Sequence, residues 1–162
     1  MKNRYLLLIC IICCSPVQNV QAQLTKAQLS ASLAQTIITL ETAVNSFDST
    51  TIFSLTDSSA VSIDIFNDPI VGLDAQKQDD RKLFKQFSFY KAHFSSEKTE
   101  VSDVDVFGFR YGYDKGTVAA TFTNKATGKT SLIAEKYFRL WKYKNNKWVL
   151  YTESYCPLWY KQ

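Results

Sequence analysis

The chain has 162 residues, 46% of them hydrophobic and 21% charged, with only five Gly and three Pro. That is one domain's worth of ordinary soluble-protein composition, and it excludes collagen-like and low-complexity architectures. The net charge of +4 is spread without a basic tract that could track phosphates, so no nucleic acid partner is expected.

At the N-terminus, Lys2 and Arg4 precede an apolar run from Tyr5 to Cys14, followed by Ser15-Pro16 and then Val20-Gln21-Ala22. This is the layout of a secretory signal peptide cut near Ala22. The run is too short for a bilayer core, which needs about 20 helical residues. The expectation is therefore an exported protein, periplasmic or secreted, with no stable membrane span. Residues 1–22 form the signal and residues 23–162 a single domain. Lipidation is disfavoured because Ile12 and Cys13 precede the candidate cysteines where a small residue is required. Cleavage removes two basic residues and no acids, lowering the charge from +4 to +2, and it removes Cys10, Cys13 and Cys14. Cys156 alone cannot close an intrachain disulfide. It is expected as a buried small apolar residue, with an exposed thiol pairing between chains as the alternative.

Leu29, Leu33, Ile37, Leu40, Val44 and Phe47 recur at helical spacing and predict a helix over about Thr25 to Ser46. Asp48 can cap a short second helix ending at Leu55. Asp57-Ser58-Ser59 then interrupts the pattern, Ala60 to Phe66 reads as a strand, and Asn67-Asp68-Pro69 with Gly72 reads as a loop. The helical period returns from about Ala75 to Phe94, with Leu83, Phe87, Tyr90 and Phe94 on one stripe.

Beyond residue 97 the period becomes two. Thr99 to Tyr111, Thr117 to Thr123, Ser131 to Tyr143 and Trp148 to Cys156 read as strands. The turns between them are expected at Gly112 to Gly116, Asn124 to Gly128 and Asn145-Asn146. Helices followed by an antiparallel meander give an α+β class, with the helices on one face of the sheet. In the last hairpin a two-residue loop puts Tyr143 opposite Trp148, Trp141 opposite Leu150, Arg139 opposite Thr152 and Tyr137 opposite Ser154. That face is aromatic near the turn and polar away from it. It is either the floor of a pocket or a frayed, solvated end of the sheet.

The order of elements, with Phe53-Ser54-Leu55-Thr56-Asp57, Ala60-Val61-Ser62-Ile63-Asp64, Tyr137-Phe138-Arg139-Leu140-Trp141-Lys142 and Asn145-Asn146-Lys147-Trp148-Val149-Leu150, resembles the SnoaL-like branch of the nuclear transport factor 2-like superfamily. The resemblance covers about residues 26–156. It implies three N-terminal helices packed on a strongly curved antiparallel sheet, enclosing a conical pocket. It also implies a dimer through the outer sheet face, as many members of the fold form. The same fold hosts isomerases, dehydratases, cyclases, hydrolases and binding domains, so the chemistry rests on individual residues. Many SnoaL-like sequences carry two His on the last strand. Thr152 and Ser154 stand there instead, which weakens metal binding and His-dependent catalysis, and no metal or other cofactor is expected.

The resemblance to ketosteroid isomerases puts Asp64 where a general-base carboxylate would stand, although strand alternation also suits a solvent-facing Asp. His93, the sole His of the chain, is a second candidate base or a solvated side chain. Arg139 is the best candidate for a ligand contact, since a guanidinium can fork onto a carboxylate or phosphate; the alternative is a salt bridge to Glu135 or Glu153. Tyr137 and Tyr90 are candidate hydrogen-bond donors, with Thr152 and Ser154 as further ligand contacts. The mature chain has no Gly-rich phosphate loop, nucleophile elbow, His-Glu-x-x-His or Cys-x-x-Cys. Two readings remain: an exported pocket domain binding a small amphipathic molecule or a protein partner, and a small lyase or isomerase with Asp64 or His93 as base.

Overall fold

In the computed structural model, residues 24–64 and 67–158 are described, with the side chains of residues 88–90 left out. Thr25 opens α1 (Lys26–Asn45) through a reciprocal capping box, its hydroxyl accepting from Gln28 N while the Gln28 side chain accepts from Thr25 N. The expected stripe supplies the buried face: Leu29, Leu33, Ile37 and Leu40 pack against Val101, Trp141, Trp148 and Leu150 of the sheet. Each such fully buried aliphatic side chain contributes about 1.5–3 kcal/mol. Asp48 caps α2 (Ser49–Ser54), accepting from Thr51 N at 3.1 Å, as its position predicts.

The sheet comprises β1 (Thr56–Asp64), β2 (Ile70–Val71), β3 (Phe87–Val104), β4 (Arg110–Asn124), β5 (Thr130–Lys144) and β6 (Lys147–Pro157), with α3 (Leu73–Gln86) between β2 and β3. Its order is β2-β1-β6-β5-β4-β3, and all neighbours are antiparallel except β1 with β6. This is an α+β architecture. No helix of the described residues is long and apolar enough to cross a membrane.

Several elements depart from expectation. β1 starts at Thr56, so Asp57-Ser58-Ser59 is an irregular stretch inside the strand, where Asp57 accepts from Ser59 N and Oγ. The expected end of that strand, residues 65–66, lies outside the described residues. α3 stops at Gln86, and residues 87–94 belong to β3 instead of a long helix. Their aromatic-rich run satisfies either period, and pairing with β4 from Phe87↔Asn124 onward decides for the strand.

The turn expected at Gly112–Gly116 lies instead at Asp105–Gly108, where Asp105 accepts from Phe107 N and Phe109 N and Gly108 has φ 83°. Gly112 and Gly116 sit within β4 because neighbours approach too closely for a side chain. A Cβ at Gly116 would lie 2.0 Å from Ser95 O, and one at Gly112 would lie 2.5 Å from Leu33 Cδ2. The other two turns are as predicted, with Asn145 and Asn146 at φ 52° and 60°.

Candidate functional site

Pairing in the β5–β6 hairpin decides which side chains share the inner face. Tyr143↔Trp148 and Trp141↔Leu150 match the expected register, but a bulge follows, and Leu140 then pairs with Thr152. One extra residue in a strand turns everything beyond it over. Arg139 therefore stands beside Glu153, and Tyr137 beside Tyr155. Thr152 and Ser154, expected beside Arg139 and Tyr137, pair with Leu140 and Phe138 on the outer face; this corrects their assignment as pocket residues.

The inner face carries a polar row across four strands. Ser62 of β1 pairs with Glu153, Glu153 with Arg139, and Arg139 with Asp114 of β4. Arg139 and Asp114 are both fully buried. Both Asp114 oxygens accept from Arg139 Nε at 3.2 Å, and Oδ2 also accepts from Nη2. Trp141 Nε1 donates to Asp114 Oδ1 at 2.6 Å. The guanidinium lies 4.6 Å from the Phe94 ring centroid and 4.5 Å from that of Tyr137. The expected partner of Arg139, Glu135 or Glu153, is thus replaced by Asp114, a residue hidden within the misassigned turn.

Two donors stay unmatched in this cluster. Arg139 Nη1 and Tyr137 Oη are buried without a hydrogen-bond partner among the described residues. Burial and the neighbouring Asp114 charge push the Tyr137 hydroxyl up to about 12, so it stays a neutral donor.

Arg139 borders a cavity of about 680 Å³. Its apolar walls include Leu40 and Val44 of α1, Phe84 of α3, and Phe94, Val118 and Phe122 of the sheet. Ser62, Asp64, Glu135, Glu153 and Tyr155 line it from the strands, and Asp79 and Asp80 from α3. Burial raises the Glu153 carboxyl against the opposing hydrogen bond from Tyr155, whose hydroxyl donates at 2.9 Å. Burial, then the charges of Glu153 and Asp79, raise Asp80 to about 6. Burial and Asp64 raise Glu135.

Of the candidate bases, Asp64 is on the cavity wall and accepts from Asn67 Nδ2 at 2.8 Å. His93 is not among the cavity-lining residues: it sits on β3, its side chain 76% exposed, 3.5 Å from Glu41. Tyr90 pairs with Phe122 through its backbone, and its side chain lies outside the described residues. Cys156 is exposed, against the expected burial. Among the described residues no His, Cys, Asp and Glu cluster is arranged to hold a metal ion. Strand alternation alone does not reveal Glu153, Tyr155 and Asp80 as pocket residues: the bulge brings the first two to the inner face, and Asp80 lies on a helix whose orientation is set by tertiary packing.

No protein-family model matches the sequence, and no curated protein matches it. Solved structures do. A ketosteroid isomerase-like protein from Erwinia carotovora atroseptica superposes with TM-score 0.68 at 18% identity, covering 80% of this chain and 96% of the other. A nuclear transport factor 2-like superfamily protein from Salmonella enterica serovar Typhimurium gives 0.69 at 12% identity, covering 85% and 96%. A hexachlorocyclohexane dehydrochlorinase gives 0.65 at 12%, covering 80% and 84%. The chain has the nuclear transport factor 2-like fold.

Proposed function

We propose that the protein is exported and that its folded part binds a small amphipathic molecule in a conical pocket between the helices and the sheet. The observation that carries this reading is the cavity of about 680 Å³ with Arg139 on its wall, one guanidinium nitrogen buried and without a partner. Its volume falls in the range of small-molecule sites, about 300–1,000 Å³. A buried unmatched donor costs about 1–3 kcal/mol unless something accepts from it. A ligand acceptor would remove that cost. Native mass spectrometry of protein recovered from its extracytoplasmic fraction tests the reading: a copurifying small molecule is expected, and a ligand-free spectrum counts against it. N-terminal sequencing of the same sample tests export, which fails if residues 1–22 persist.

A lyase or isomerase is the second reading, favoured by carboxyl groups on the cavity wall. Asp64 would act as base, and Asp80, raised to about 6, would be able to exchange a proton near neutral pH. The ketosteroid isomerase-like and dehydrochlorinase names of similar structures agree with such chemistry. Conversion of the copurified molecule, lost in Asp64→Asn while binding persists, distinguishes the two. Pairing of two copies through the outer sheet face, where Ile63, Leu132 and Phe138 are exposed, completes the proposal. Light scattering then gives twice the monomer mass, and Phe138→Asp halves it.

A further inference from the structure

Over the whole chain Lys and Arg outnumber Asp and Glu by 19 to 15. Around the cavity the balance inverts: Asp64, Asp68, Asp79, Asp80, Glu135 and Glu153 line it, and Arg139 is the one basic residue among the described lining residues. The Arg139 charge is already met by the two oxygens of Asp114. The acids come from opposite walls. Asp64 and Glu153 stand on adjoining strands, where Ser62 pairs with Glu153 and Asp64 with Tyr155, and Asp79 and Asp80 belong to α3. Like charges facing one another across low-dielectric space repel, and a cation placed between them reverses the sign of each interaction.

We infer that the cavity selects an organic cation, an amine or ammonium group on an apolar body that also carries an oxygen acceptor. This rests on the pocket reading and names the ligand class for that site. The ammonium sits between the α3 acids and Glu153, where the carboxylates attract positive charge. The acceptor end goes to Arg139 Nη1, the fully buried donor left without a partner. A second cation would be repelled there, so the two ends of the molecule are not interchangeable. A carboxylate ligand would satisfy Arg139, but only by entering past the acids.

Isothermal titration calorimetry with three probes sharing a 4-hydroxyphenyl body separates the inference from the pocket reading. Tyrosol, which is neutral, measures the cavity, while tyramine and 4-hydroxyphenylacetate measure the preference for charge. Tyramine is expected to bind about tenfold tighter than tyrosol, and 4-hydroxyphenylacetate more weakly than tyrosol. Asp80→Asn combined with Glu153→Gln should bring tyramine to within about twofold of tyrosol, both measured on the same double variant, with circular dichroism confirming the fold. The inference is overturned, and the pocket reading kept, if tyrosol binds but 4-hydroxyphenylacetate matches or exceeds tyramine, or if the double variant retains the tyramine preference. Failure of all three probes to bind removes both.

Discussion

Asp114 stands directly across from Arg139 on neighbouring antiparallel strands, and its carboxylate engages two of the three guanidinium nitrogens while the third has no partner. The pair holds the guanidinium against the Phe94 and Tyr137 rings and leaves Nη1 as its unmatched corner. A guanidinium fixed on two sides loses little freedom when a ligand takes the third, and preorganisation of this kind favours binding.

Removing one member of this buried pair strands the other charge. Asp114→Ala should lower unfolding stability by about 3–5 kcal/mol, and it also leaves Trp141 Nε1 without its acceptor. The double variant Asp114→Leu/Arg139→Met should recover most of that loss, because no charge is left buried. Urea unfolding of the three proteins measures both effects, and a double variant no more stable than Asp114→Ala refutes the account.

The raised Asp80 carboxyl sets a pH dependence. Its folded value of about 6 lies above the ordinary 3.8, so between these values the folded protein holds a proton that the unfolded chain has released. Stability from this group therefore falls as pH rises through that window. Asp80→Asn should raise the melting temperature at pH 7.5, with the gain shrinking to nothing by about pH 4. A gain that persists unchanged at pH 4 contradicts it.

Gly116→Ala should destabilise more than Gly112→Ala. At Gly116 the new Cβ meets backbone, Ser95 O at 2.0 Å, whereas at Gly112 the nearest atom is the terminal methyl of Leu33 at 2.5 Å, which can rotate. Overpacking of this kind costs about 1–3 kcal/mol, and a clash with strand backbone belongs at or above the upper end. Urea midpoints give the order.

The bulge in β6 puts Thr152 and Ser154 outside the cavity. Thr152→Val and Ser154→Ala should leave tyrosol affinity within about twofold of wild type, while Asp114→Leu/Arg139→Met, which leaves no charge buried, weakens it about fivefold or more by removing a hydrogen-bond donor. Calorimetry decides, and a large loss in Ser154→Ala would mean that the strand register is not the one described.

Much of the architecture was legible in the residues. The stripe from Leu29 to Leu40, the Asp48 cap, the Asn145-Asn146 hairpin and the α+β order all follow from local periodicity and turn chemistry, which neighbouring residues carry among themselves. The span 87–94 was not legible, because its aromatic spacing suits a helix and a strand equally and only the β4 partner chooses. The role of Gly112 and Gly116 was also hidden, since a Gly needed for close approach looks the same as one needed for a turn.

The sequence by itself determined the α+β class, the apolar face of α1 and the placement of Arg139 on the inner face of the sheet. Only the tertiary structure decided what surrounds Arg139. Asp114 reaches it through strand pairing 25 residues away, and a bulge of one residue exchanges Thr152 and Ser154 for Glu153 and Tyr155. α3 then adds Asp80 to the same space. A period of two is indifferent to where it slips, so the acidic character of the cavity emerges only when the strands are in register.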